Sequence, residues 1–209
     1  MTDIPFPRWL QWAREIEAIS QSGLTYSHSD YDRERYHRLM EIAAQIVAGH
    51  TQLPQTEVLE SFKMQPGYAT PKVDVRGAVV RDGQILLVQE RTDGRWCLPG
   101  GWADVGQLPS YTAEREVREE SGFLVKARQV IGLYDANRGA EPLEFYHAYK
   151  IIFLCDILGG EARPSFETPA VGFFPFDAVP PLSSHRTNQR HLRDVFACLH
   201  NPCQPPAFD

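Results

Sequence analysis

The stretch Leu98–Phe123, LPGGWADVGQLPSYTAEREVREESGF, decides how this chain is read. A glycine pair, Gly100-Gly101, and an Asp104-Val105-Gly106 turn lead into a segment with a helix signal at each end. Pro109 suits a first helical turn, where its missing N–H costs nothing, and Gly122 suits a C-terminal cap. A helix is therefore expected over about residues 109–121. On it Glu116, Glu119 and Glu120 stand three and four residues apart and share one face. Like charges at that spacing repel by ~0.2–0.5 kcal/mol per pair. A hard divalent cation reverses the sign of that effect, and Mg²⁺ binds through few carboxylates while taking substrate phosphates as further ligands. Arg115 and Glu119 form an i,i+4 pair, which suits Arg115 to orienting Glu119. A merely solvated acidic face would account for the glutamates and leave the glycines and the turn before them unexplained.

Strand signals surround this segment. Residues 73–80 alternate, Asp82-Gly83 makes a hairpin turn, and Ile85 to Val88 follows. Asp93-Gly94 turns the chain into Trp96–Leu98. Phe123 to Tyr134 reads as strand, followed by a loop rich in Asn, Arg, Gly and Pro. Tyr146 to Ile157 has a nearly continuous apolar centre and is expected inside a sheet. Ala170 to Phe176 is a further strand. Ser184 or Thr187 opens a last helix to about Leu199, and Pro202 with Pro205-Pro206 marks residues 201–209 as a loose tail. Strands on both sides of a glutamate helix, with a closing helix, predict an α/β fold: a mixed sheet between helices over residues 70–200.

The first third is different. Pro5 and Pro7 precede a helical pattern from about Arg8 to Ser22, ended by Gly23, with Leu10, Ala13, Ile16 and Ile19 as its stripe. A second runs from about Asp30 to Ala48, ended by Gly49, with Ser29 or Asp30 as cap. Tyr36, Leu39, Ala43, Ile46 and Val47 form its stripe. Two such helices cannot bury both stripes alone, so they must pack on the rest of the chain or on a second copy. Residues 1–65 are thus expected as a small helical domain, with the boundary in Ser61–Pro71, which holds Pro66-Gly67.

Of 209 residues, 21 are Lys or Arg and 27 are Asp or Glu, for a formal charge of −6. That balance argues against long nucleic acid as partner. No apolar run reaches membrane-spanning length and no secretory leader is visible. Four cysteines, Cys97, Cys155, Cys198 and Cys203, show no zinc spacing. A Cys198–Cys203 disulfide is conceivable, but reduced thiols in a cytoplasmic protein are the expectation.

Read from Gly101, the stretch resembles the Nudix box: Gly, five residues, an acid, seven residues, then Arg-Glu-apolar-x-Glu-Glu-x-Gly-apolar. The acid position is the departure, because Gln107 stands there. The resemblance implies the α/β/α Nudix sandwich. The helical pair followed by VDVRGAVVRDGQILLVQERTDGRWCLPGGWADVG, with the later YHAYKIIFLCDILGGEARPSFET and FFPFDAVPPLS, is similar to bacterial Nudix hydrolases acting on X-linked nucleoside diphosphates. Such proteins are described as CDP-choline or ADP-ribose pyrophosphatases, and their helical pair serves dimerisation. The resemblance implies Mg²⁺ or Mn²⁺ on Glu116, Glu119, Glu120 and the Gly100 carbonyl, with Arg115 bracing the carboxylates. Glu167 falls where many members place a loop glutamate that orients or deprotonates water, a task Glu119 or Glu120 could also take.

Phosphate needs cations. Arg76 and Arg91 lie on or beside strands leading to the box, and Arg76 stands in an otherwise apolar strand where a charge needs a partner. Both are candidate substrate contacts. Arg186, Arg190 and Arg193 read as a solvated helix face, and His147 and His191 as structural. Tyr134, Phe145 and Tyr146 are candidates for base stacking without a basis for choosing among them. Selectivity is expected in the Tyr134–Phe145 loop and the N-terminal helices. The expected chemistry is metal-assisted hydrolysis of a pyrophosphate bond, giving a nucleoside monophosphate and phospho-X. Two alternatives stand beside it. One is a sensing module that binds nucleotide and cleaves it slowly or not at all, on the strength of Gln107. The other is an enzyme cleansing oxidised nucleoside triphosphates or trimming RNA ends.

Overall fold

In a computed structural model that describes residues 7–138 and 145–209, five helices and eight strands form two compact units. The first contains α1 (Arg8–Tyr26), α2 (Asp30–His50), α3 (Gln55–Lys63) and the short segment 145–147. Its core is Ala13, Met40, Ala43, Ala44, Val47, Val58 and Phe62. Phe145 stacks on Phe62, ring centres 4.7 Å apart. Ser29 caps α2 by accepting a hydrogen bond from the Asp32 N–H.

Three expectations for this unit need correction. Helix α1 does not stop at Gly23 but runs on to Tyr26. A Cβ at Gly23 would come 2.4 Å from the Tyr36 ring, so the glycine lets α1 and α2 approach closely rather than ending a helix. Gly49 likewise lies inside α2. The burial stripes are displaced: on α2 Met40 and Ala44 are buried while Leu39 and Ile46 are only partly so, and on α1 Ile19 is exposed. Helix α3 was not anticipated; it buries Val58 and Phe62, one turn apart, in only nine residues.

The second unit holds β1 (Lys72–Arg81), β2 (Gln84–Gln89), β3 (Trp96–Cys97), β4 (Gly100–Trp102), α4 (Pro109–Ser121), β5 (Phe123–Asp135), β6 (Ala148–Gly160), β7 (Ala170–Pro175), α5 (Gln189–His200) and β8 (Ala207–Phe208). Asp82 and Gly83, both at positive φ, turn β1 into β2. The sheet runs β3-β2-β1-β6-β5-β8, with β4 added to β1 and β7 to β2. It is mixed: β1 pairs with β6 in parallel, and with β2 and β4 antiparallel. The apolar strand β6 lies centrally between β1 and β5, as its composition predicted.

Alternation along β1 assigns its faces. Val75 and Val79 pack with Ala113 and Val117 of α4, whereas Ala78 packs with Leu192, Val195 and Cys198 of α5. The sheet is thus covered on both faces, the α/β/α arrangement expected. Asp74 and Arg76, in step with Ala78, stand on the α5 face.

Two C-terminal expectations also need correction. The last helix opens at Gln189, not at Ser184 or Thr187. Asn188 is its cap: the Asn188 side chain accepts from the Arg190 and His191 N–H groups, and the His191 ring accepts from the Asn188 N–H. Nor is the tail loose. Ala207 and Phe208 pair with Gly132 and Leu133 of β5, and the Asp209 carboxylate takes Arg138, Arg190 and the Asp135 N–H. A two-residue strand carries no periodicity, so only its tertiary partners reveal it. Cys198 and Cys203 are both free thiols, as are Cys97 and Cys155. No helix among the described residues is long and apolar enough to cross a membrane.

Candidate active site

Helix α4 begins at Pro109 and ends at Gly122 in the left-handed conformation, both boundaries as expected. Its acidic side chains differ sharply in exposure. Glu120 is 8% exposed and Glu116 is partly buried, whereas the Glu119 side chain is 56% exposed. Burial pushes the Glu120 carboxyl up to about 8, with Arg76 and the Gly100 N–H opposing and Glu116 and Glu90 adding to the shift. Burial also raises Glu116, against the pull of Arg115. Arg115 reaches Glu116 and Glu119, each at 2.8 Å, and Asp104 at 3.3 Å. It bridges two box glutamates, more than the single i,i+4 pair expected.

The Gly100-Gly101 backbone lies directly on this face. The Gly100 N–H donates to Glu120 Oε2 at 2.9 Å. A Cβ on Gly100, whose φ is +147°, would sit 2.1 Å from the Val75 carbonyl oxygen, so no other residue fits. A Cβ on Gly101 would meet the Glu116 carboxylate at 3.3 Å. The glycine pair therefore brings the main chain against two of the three glutamates.

Arg76 is buried, and its guanidinium turns to internal partners: Asp74 at 2.9 Å and the Leu98 carbonyl at 3.2 Å. Asp74 in turn receives Lys150 at 3.2 Å from the neighbouring position on β6. Burial alone would raise the Asp74 carboxyl; Arg76 and Lys150 outweigh it and hold it below the ordinary value. Lys150, 0% exposed, also donates to the His185 and Arg186 carbonyls. The turn 183–188 is held further by Leu98 N–H to Thr187 Oγ1 at 2.9 Å and Ser183 N–H to the Trp96 carbonyl at 2.8 Å. Arg186 is not on a solvated helix face; it pairs with buried Glu90 at 3.1 Å, which also accepts from Cys97 Sγ. These groups brace the Trp96–Gly101 segment from behind.

Glu167 lies on an exposed loop. Thr168, fully buried beside it, donates to the Glu120 main-chain carbonyl at 2.7 Å, which ties that loop to the acid helix. Arg91 helps hold the same loop: its N–H donates to the Glu167 carbonyl, and its guanidinium lies 4.2 Å from the Phe166 ring centre. Tyr134 is buried against His191 and donates to Asp194, and Phe145 belongs to the helical unit's core, so neither ring is presented as a stacking platform. Within the Tyr134–Phe145 loop, residues 139–144 lie outside the described residues.

Glu90, Asp74, Lys150, Thr168 and Thr187 were missed from sequence. Lys150 and Asp74 carried the signal that exposed Arg76, a charge in an apolar strand. The other three carried none.

Gln107 precedes α4. Its carboxamide oxygen accepts from Arg115 Nε and Thr112 Oγ1, each at 3.3 Å, and its NH₂ donates to Asp104. The carboxylate missing at this position is thus supplied to Arg115 by Asp104. The donor set on α4 consists of hard oxygens, suited to Mg²⁺ or a similar cation. Among the described residues no three acidic, His or Cys side chains converge on one point.

Residues 71–196 match the profile of the NUDIX domain, and residues 7–62 match that of a UDP-X-like N-terminal oligomerisation domain. A Bacillus subtilis protein, YjhB, provisionally named an ADP-ribose pyrophosphatase, is 38% identical over 97% of both chains. The structure of an ADP-ribose pyrophosphatase from Streptococcus suis is 38% identical and covers 67% of this chain and 100% of its own, with a TM-score of 0.61. That of a UDP-X diphosphatase is 30% identical, covers 97% of this chain and 98% of its own, and has a TM-score of 0.63.

Proposed function

This chain belongs to the Nudix hydrolase family, and from that premise we propose that it hydrolyses the pyrophosphate bond of an X-linked nucleoside diphosphate of ADP-ribose or CDP-choline type. Water oxygen attacks one phosphorus, the bridging oxygen leaves with the other phosphate, and the products are a nucleoside monophosphate and phospho-X. The observation that carries this reading is the partly buried Glu116–Glu120 face with Gly100-Gly101 laid against it. The names of the relatives favour ADP-ribose over CDP-choline.

A divalent cation, Mg²⁺ or Mn²⁺, held by Glu116, Glu119, Glu120 and the Gly100 carbonyl, would neutralise the diphosphate and acidify the attacking water. Arg115 keeps Glu116 and Glu119 in position. Arg76, enclosed by Asp74 and the Leu98 carbonyl, steadies the Glu120 carboxylate and the glycine loop rather than gripping substrate. Arg91 positions the 165–168 loop, from which Glu167 takes the proton of the attacking water. Gln107 does not favour a sensing module, because Asp104 supplies the charge it lacks.

The helical unit serves homodimerisation in this reading. Trp12, Ile19 and Tyr26 recur every seven residues on α1 and are all exposed, a stripe suited to a second copy. The four free thiols fit a reducing, cytoplasmic setting. The test is phosphate release in a coupled phosphatase assay with Mg²⁺ or Mn²⁺, over ADP-ribose, CDP-choline, NADH, diadenosine polyphosphates and nucleoside triphosphates. Strong turnover of a linked diphosphate is expected. Preference for triphosphates would overturn the substrate class, and silence in folded protein would overturn the enzyme.

A further inference from the structure

Beyond Glu119 a groove of about 1200 Å³ runs along the outer side of α4, between the helix and the 163–166 loop. Arg115 and Glu119 are among its lining residues, so the groove adjoins the proposed catalytic face at Glu119. Its wall includes three arginines, Arg115, Arg118 and Arg163, and two glutamates, Glu114 and Glu119. The glutamates are spoken for: Glu119 pairs with Arg115, and Glu114 with Lys126 at 3.1 Å. Among the described residues no carboxylate pairs with Arg118 or Arg163. Two guanidinium charges are left over in a protein whose net charge is −6.

The position of Arg163 is fixed by its main chain, whose N–H donates to the Ser121 carbonyl at 2.8 Å. Arg118 lies one turn beyond Arg115, ~5 Å along the helix axis. Phe166 and Tyr111 are exposed on the rim, and Arg91 lies against the Phe166 ring. Arginines at the carbonyl end of a helix can serve only to offset its partial charge, about −0.5. Two unpaired guanidinium groups exceed that, and a groove with an aromatic rim has no use in such a role.

We propose that this groove is an anion subsite in which Arg118 and Arg163 hold a phosphate additional to the scissile diphosphate. The preferred substrate is then a linked nucleotide bearing a further phosphomonoester. Arginine matches phosphate geometry through paired hydrogen bonds. This inference rests on the hydrolase reading above for which bond is cut, but its binding part does not.

The test compares ADP-ribose with its 2′-phosphorylated form, and NADH with NADPH, for the wild type, Arg118→Gln, Arg163→Gln and the double variant. KM and kcat are measured by product release, and dissociation constants by calorimetry. The wild type is expected to favour the phosphorylated member by about tenfold or more, mainly in KM. Each single substitution removes part of that preference, and the double variant removes it while retaining turnover of the unphosphorylated member. Equal use of both members by the wild type, or a preference untouched in the double variant, overturns the subsite. So does a lower melting temperature in the variants with an unchanged preference, which would make the arginines a helix cap. If nothing is turned over but calorimetry shows the phosphate preference and its loss, the hydrolase reading fails and the subsite stands.

Discussion

Helix α4 turns a glutamate into the interior, whereas helix α1 leaves three large apolar side chains in water. Each goes against the usual partition of side chains, in opposite directions. On α4 the buried carboxyl of Glu120 has the Gly100 N–H as donor and Arg76 nearby, and Asp74 and Lys150 complete the charges behind it. On α1 Trp12, Ile19 and Tyr26 are each more than half exposed and take no part in the helical unit's buried core. Misplaced polarity with partners suits the proposed chemistry, and the exposed apolar stripe suits the proposed self-association.

The comparison is most severely tested by removing a charge from the interior. Lys150→Met leaves the His185 and Arg186 carbonyls without their donor and Asp74 with one cation, so a loss of about 3–5 kcal/mol is expected by chemical denaturation. A loss below 1 kcal/mol would show that the network contributes little. On the other side, Trp12→Glu and Ile19→Glu place charges in the apolar stripe. Each is expected to weaken self-association by the ~1.5–3 kcal/mol of a buried side chain, read by light scattering across concentration. Wild-type protein that stays monomeric at micromolar concentration would remove the interface.

Smaller effects sharpen the picture. Burial, assisted by Lys150, depresses the His191 ring from its ordinary 6.5 to about 3, and as a neutral ring it caps α5. The unfolded chain therefore binds the proton first as pH falls. Stability from this group is fully present above pH 6.5 and declines below it, by up to about 1.4 kcal/mol per pH unit until pH 3. The slope between pH 6.5 and 4.5 is expected to flatten in His191→Gln, measured by urea unfolding. An unchanged slope would assign the acid sensitivity elsewhere. Gln107→Glu comes last: with Asp104 already serving Arg115, a few-fold change in kcat is expected. A rise of a hundredfold would show that the missing acid limits catalysis.

Legibility in the sequence followed how local each cause is. Helix α4 was readable to the residue because a proline and a glycine bound it. The alternation of β1 and the Asp82-Gly83 turn were equally local. Gly23 misled because its reason is the Tyr36 ring, thirteen positions away, and not its own backbone. Helix α3 escaped notice because two buried residues, Val58 and Phe62, make no visible period. In the candidate site the shared helical face of the box glutamates follows from their spacing, while their proposed metal role rests on the resemblance to the Nudix box. The Asp74–Lys150 pair was not, because it exists only through the parallel register of β1 and β6. Thr168 and Glu90 act through contacts with distant residues, and nothing in their neighbourhoods marks them.

The central claim is that the Glu116–Glu120 face is built for chemistry and not for stability. Its most direct test is turnover of ADP-ribose and melting temperature, measured together, in Glu120→Gln. Glutamine can still accept from the Gly100 N–H and cannot take the ionised form that burial disfavours. Turnover is expected to fall about 10²–10³-fold, with the melting temperature unchanged or raised. Full activity in a folded variant, or inactivity accompanied by collapse of the fold, would contradict it.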